Sequence, residues 1–152
     1  MWVSNEGDHV MVDASGCVLS FNHPADLRRY AGLNNYRLES EEPILHDLDS
    51  VAAWVATPSL AVDCNKTLAA WNLFGDVADS IVDKGRAFRD LDSQLRAIYD
   101  KLFRGNNLPS VTPKGTLYIP EWSWDETAAL AEILAVGLNL FALCTRNWHE
   151  AA

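Results

Sequence analysis

The apolar positions after Asp63 recur at three- and four-residue steps: Leu68, Trp71, Phe74, Gly75, Ala78, Ile81 and Val82. At about 100° per residue they share one side of a helix running to about Lys84, and Asn65, Asn72, Asp76, Asp79 and Asp83 share the other. Asp63 is placed to cap that helix, because its carboxylate can accept from the open N–H groups of the first turn. The same steps recur in Leu91, Leu95, Ile98 and Leu102 and predict a second helix over 88–104, ended at Gly105. Ser123-Trp-Asp-Glu126 has the spacing of a capping box, and the apolar run behind it predicts a core helix to about Cys144.

Shorter elements fill the remainder. His9–Val12 and Cys17–Phe21 flank Asp13-Ala-Ser-Gly16, which reads as a hairpin with glycine supplying the turn. Asn22 is placed to cap a helix with Pro24 in its first turn and Gly32 as its stop. Asp47 or Asp49 caps a short helix through Trp54 and Val55, closed before Pro58. Tyr36–Glu39 and Thr116–Ile119 have the composition of strands, and 106–115 reads as a loop holding Pro109 and Pro113. About five helices and three or four short strands result, with no regular alternation. The expected fold is α+β, predominantly helical, with a small, mostly antiparallel sheet.

Composition changes this picture little. A chain of 152 residues, 49% of them hydrophobic, supports one globular domain over 1–152 with a core that needs no staple. Cys17, Cys64 and Cys144 are odd in number and widely spaced, so they read as thiols in a reducing compartment. The N-terminal residues lack the basic and apolar regions of a secretory signal. The run from Ala128 to Cys144 is interrupted by Glu132 and Asn139 and falls short of the ~20 apolar residues that span a bilayer. It reads as a core helix, and the expected location is the cytoplasm, away from membranes.

Charge changes the picture more. The net charge is −9, which argues against nucleic acid, whose phosphates need clustered Lys and Arg. The charge is also concentrated. The window from Leu38 to Asn65 contains Glu39, Glu41, Glu42, Asp47, Asp49 and Asp63 and no Lys or Arg. These six of the 21 acids leave 15 to set against all 12 bases, so the rest of the chain sums to −3. A basic partner fits such a surface, and a solvated face is the plain alternative.

Catalytic signatures are sparse. The chain contains no Gly-rich phosphate loop and no Gly-x-Ser-x-Gly elbow. His9, His23, His46 and His149 lack a His or Cys at helical spacing, so no metal site and no cofactor are expected. Asp90-x-Asp92-x-Gln94 begins like a calcium loop but has Leu95 where glycine belongs and Lys101 where glutamate belongs. His46-Asp-Leu-Asp49 is the most enzyme-like cluster, and a small hydrolase built on these three is the alternative function. The two acids also suit a helix start. Trp122 and Trp124 flank Ser123; packing explains them, and an exposed pair would anchor a partner. Self-assembly as an adaptor is a further alternative.

Two stretches resemble a known family. Leu68-Ala-Ala-Trp-Asn-Leu-Phe-Gly-Asp-Val-Ala-Asp-Ser80 is similar to the central helix of certain bacterial immunity proteins, and Tyr99-Asp-Lys-Leu-Phe-Arg-Gly-Asn-Asn-Leu-Pro-Ser-Val-Thr-Pro113 is similar to another part of them. These proteins belong to contact-dependent growth inhibition and related polymorphic toxin systems. The resemblance implies a cytosolic, non-enzymatic protein that binds a cognate toxin domain, often a nuclease, one-to-one and blocks its active site. It carries over no binding residues. The acidic residues supply the expected contacts: Glu39, Glu41, Glu42, Asp47 and Asp49 first, then Asp76, Asp79 and Asp83.

Overall fold

The computed structural model describes residues 2–4, 8–39, 42–81, 83–110 and 112–148. Along them run β1 (Trp2–Ser4), β2 (Asp8–Val10), β3 (Val18–Ser20), α1 (Pro24–Leu33), α2 (Leu48–Ala56), α3 (Cys64–Ser80), α4 (Arg86–Gln94), α5 (Arg96–Gly105), α6 (Trp124–Cys144) and β4 (Thr145–Asn147).

The centre is α3 against α6. On α3, Leu68, Trp71, Phe74, Val77 and Ala78 are buried; on α6, Leu130, Ile133, Leu134, Gly137, Leu140 and Cys144 are buried. They approach closely at Gly137, where a Cβ would stand 2.1 Å from Phe74 Cδ2. Only a hydrogen fits between the helix and the ring. α2 packs mainly on α6 and also meets α3, α4 packs on both α3 and α6, and α5 packs on α3. With 21 residues, α6 is long and apolar enough to cross a bilayer by length and composition, contrary to the reading of its interruptions. Here it spends its apolar stripe on the core.

The caps explain where the central helices begin. Asp63 accepts from the N–H groups of Asn65 and Lys66, both at 3.1 Å. Ser123 and Glu126 form the reciprocal capping box, and Glu126 also holds Lys101 of α5 at 2.7 Å. Lys101 Nζ lies 4.9 Å from the centroid of the buried Trp122 ring, so the start of α6 is tied to α5 by charge and by an aromatic face.

Two expectations about the architecture are corrected. The described residues form six helices, because the stretch read as one helix over 88–104 is two. Leu95 ends α4 and begins α5 with φ −100° and ψ 20°. Its N–H donates to Leu91, and its carbonyl accepts from Ile98 and Tyr99, so the chain bends without losing these bonds. Nor does one mostly antiparallel sheet of three or four strands form. β1 pairs antiparallel with β2, and β3 pairs parallel with β4, as two separate two-stranded sheets.

The reason lies in the strand after the Asp13–Gly16 turn. The turn itself forms, with Gly16 at φ 72° and Asp13 Oδ1 accepting from the N–H groups of Ser15 and Cys17. Leu19 donates to the Met11 carbonyl, and Val12 and Val18 form an isolated bridge. Beyond that bridge β3 takes β4 as its ladder partner, with Val18 opposite Thr145 and Ser20 opposite Asn147. Beside this closure Phe21, Tyr30 and Trp148 pack ring against ring, with centroids 5.4–6.0 Å apart.

Smaller differences come from missing partners. Neither Tyr36–Glu39 nor Thr116–Ile119 forms a strand, since no described strand lies beside them. α1 starts after His23 without a side-chain cap and runs past Gly32 to Leu33. α3 stops at Ser80, short of Asp83; Val82 lies outside the described residues.

Candidate functional site

The first group of expected contact residues lies on the segment leading into α2. Glu39 and Glu42 are exposed and belong to no helix or strand; Glu41 lies outside the described residues. Between Glu42 and the helix the chain presents Ile44 and Leu45, 80% and 91% exposed. Two adjacent aliphatic side chains held in water are unfavourable unless something covers them. The sequence pattern did not single them out. The available signal was an aliphatic pair beside Pro43 that fits neither helical nor strand spacing.

Asp47 takes the capping role expected for it or Asp49. It caps α2, with Ser50 N–H donating to Oδ1 at 3.1 Å and the Ser50 hydroxyl donating to Oδ2 at 2.6 Å. Lys66 Nζ, on the first turn of α3, reaches the same Oδ2 at 2.8 Å. The Lys66 amine first, and then the Ser50 donors, hold the Asp47 carboxyl well below the usual range, while Asp47 raises the Lys66 amine. Asp47 therefore fastens the acidic segment to α3, with its side chain still over a third exposed. Asp49 is exposed in the first turn of α2, where the helix dipole favours an acid.

The enzyme-like cluster is not gathered into a pocket. Asp47 is turned to Lys66, Asp49 faces solvent, and His46 is half-buried with Nδ1 lacking a partner. None of the three lines either of the two main surface grooves. Among the described residues, no three of His, Cys, Asp and Glu come together as metal ligands.

The second group is split. Asp76 and Asp79 are exposed and line a groove of about 470 Å³ between α3 and the α4–α5 pair. Asp83 is exposed beyond the end of α3 and does not line it. The groove carries both signs of charge, because Arg89 and Arg96 line it as well. Its floor is braced: Trp71 Nε1 donates to Asp92 at 2.8 Å, Tyr99 donates to Asn72 at 3.0 Å, and the Arg96 guanidinium lies 4.4 Å from the Tyr99 ring centroid. The acidic stripe expected on this helix is thus partly balanced by its neighbours.

A second groove, of about 450 Å³, lies where the start of α3, the end of α5 and residues 118–122 meet. Its amides bond each other. Asn106 Nδ2 donates to the carbonyls of Cys64 and Leu102, and Asn65 Nδ2 donates to Asn106 Oδ1. Burial pushes the Cys64 thiol up, so it resists becoming a thiolate. All three cysteines are unbridged. The tryptophans around Ser123 are divided, with Trp122 buried and Trp124 65% exposed.

The surface that emerges is an exposed acidic segment carrying two apolar side chains. Glu39, Glu42, Ile44, Leu45 and Asp49 make it up, and Asp47 anchors it. Compared with family models, curated proteins and solved structures, the chain matches none.

Proposed function

We propose that this chain is an immunity protein, which binds and neutralises a cognate toxin domain in the cytoplasm, one-to-one and without catalysis of its own. The observation that carries the reading is the stretch from Leu38 to Asp49, which has acids and no Lys or Arg, and whose described residues include the exposed Glu39, Glu42 and Asp49 and the uncovered pair Ile44 and Leu45. Interfaces divide labour in this way. Charge at the rim steers the partners together and rejects wrong ones, while a few desolvated apolar side chains supply most of the affinity. A nuclease active site, basic because it binds phosphates, is the partner such a surface suits. The resemblance of 68–80 and 99–113 to immunity proteins supports the same reading.

The test is co-expression. The C-terminal domain of the polypeptide encoded immediately upstream is produced with and without this chain, and growth is followed. Relief of growth arrest, together with a one-to-one complex whose association slows as salt rises, is the expected result. Arrest that this chain does not relieve overturns the proposal.

A further inference from the structure

The sign of the charge reverses just after α1. Residues 27–38 hold Arg28, Arg29 and Arg37 and no acid, while residues 39–63 hold six acids and no Lys or Arg. The reversal falls between Arg37 and Glu39, both exposed. The chain is held there by Tyr36, whose N–H donates to the Ala31 carbonyl at 2.9 Å and whose ring stacks on Tyr30 with centroids 6.3 Å apart. Residues 36–39 run on without helix, turn or bend, and the side chains of such a chain alternate between two sides. Tyr36 is turned to α1, so Arg37 and Glu39 share the side turned away from it. Among the described residues, neither forms an ion pair. Exposed aliphatic side chains flank the reversal in sequence: Leu33 before it, 61% exposed, and Ile44 and Leu45 after it.

We infer that this stretch pairs with the same stretch of a second copy of the chain, about a two-fold axis at Leu38. Such an axis runs the two stretches antiparallel and sets Arg37 of each copy against Glu39 of the other. One contact thus occurs twice, as an isologous interface requires. A stretch of a single sign would meet its own charge under that axis, whereas this one meets its complement. Charge complementarity selects the occupant. A basic partner answers the acids and leaves Arg37 unanswered, an acidic partner does the reverse, and a second copy answers both. The charged contacts fix the register, and cover of the exposed aliphatic side chains supplies most of the affinity. Two chains of −9 repel each other, but at ~0.15 M salt the screening length is about 8 Å, which damps that repulsion more than the direct contacts. The pairing covers part of the segment assigned to the toxin. On that reading the dimer and the toxin complex exclude each other; the pairing itself is measured without a toxin.

Sedimentation velocity of the intact chain across a concentration series, at about 0.15 M salt, tests it. The expected result is a monomer that becomes a dimer as concentration rises. Arg37→Glu and Glu39→Arg each set like charges at both contacts and weaken dimerisation by about tenfold or more, with the circular dichroism spectrum unchanged. Mixed in equal amounts, the two variants form a heterodimer in which both contacts are again opposite in sign, and association returns. A monomer at every concentration overturns the inference, even one whose arginines bind a single-stranded oligonucleotide instead. So does a dimer indifferent to both substitutions, and so does a mixture that associates no better than its components. If the dimer behaves as expected and the upstream toxin domain does not bind the chain, the toxin reading fails and the pairing stands.

Discussion

Replacing Gly137 by alanine should destabilise the protein, although the same change in the middle of most helices stabilises it. Alanine has the higher helix propensity by about 1 kcal/mol. Here the new methyl would stand 2.1 Å from Phe74 Cδ2 and 2.5 Å from Cγ, where ordinary contact begins at 3.4 Å. The ring or the helix must therefore give way by the difference between 3.4 and 2.1 Å, about 1.3 Å. The ring has nowhere to go: Phe74 is 0% exposed and wedged between Phe88 and Phe141, each with its centroid 6.3 Å away. Overpacking a tight core costs about 1–3 kcal/mol, and this site lies at or beyond the upper end. Set against the propensity gain, the net loss is about 2 kcal/mol, a fall in Tm of about 4–8 °C for a domain of this size. Urea denaturation of wild type, Gly137→Ala and Gly32→Ala measures it. Gly32, exposed in α1 with nothing within 4 Å of its Cβ position, is the control and should gain stability. Phe74→Leu in the Gly137→Ala chain should cost less than the two changes summed. A Gly137→Ala protein as stable as wild type, or strict additivity with Phe74→Leu, would refute the packing argument.

Ser123→Ala removes the hydroxyl half of the capping box and should lower stability by about 1 kcal/mol, seen as a lower urea midpoint with an unchanged slope. Glu126 is held below its usual 4.5 by Lys101 first and Ser123 N–H next, so its contribution is present above that value and lost as pH falls through the lowered one. Asp47 behaves alike below its usual 3.8, and stability measured in urea should decline as pH drops below about 4.5, less steeply for Glu126→Gln. Lys66 is raised, so its share persists below 10.5 and disappears only as pH climbs past its folded value. Asp47→Ala should lower Tm by loosening the start of α2, and Asp49→Lys should lower it less by setting a cation at the helix N-terminus, whereas Glu42→Lys should leave Tm unchanged; both charge reversals should slow association with the proposed toxin partner in stopped-flow mixing. Equal effects of all three on Tm would contradict the separation of anchor from contact.

The features legible in the sequence are mostly local. Asp47, Asp63 and Ser123 act as caps within three or four residues of their partners, so their positions carry the information needed. The break at Leu95 is not visible, because Leu91, Leu95, Ile98 and Leu102 keep helical spacing across it and no Gly or Pro marks it. Thr116–Ile119 has strand composition, yet a strand exists only where another lies beside it. The same limit applies to the candidate site. The concentration of acids is legible, but the engagement of Asp47 by Lys66 is not, because that contact joins residues 19 apart. The exposure of Ile44 and Leu45 depends on where the chain turns away from the core, and the presence of Arg89 and Arg96 in the groove that Asp76 and Asp79 line depends on how α4 and α5 pack on α3.

The parallel pairing of β3 with β4 has a mechanical consequence. In an antiparallel pair joined by a turn, the chain enters and leaves at the same end, and tension opens the bonds one after another. β3 and β4 run in the same direction, so the chain arriving at Val18 and the chain departing from Asn147 leave from opposite ends. Pulling between those points slides one strand along the other and loads their bonds together. The Ser20 hydroxyl bonded to Asn147 at 2.6 Å, and Trp148 N–H bonded to the Ser20 carbonyl at 2.8 Å, share that load. A clasp of three residues on each side thus resists extension in shear, and it guards all six helices strung between Ser20 and Thr145 against being drawn out from either side.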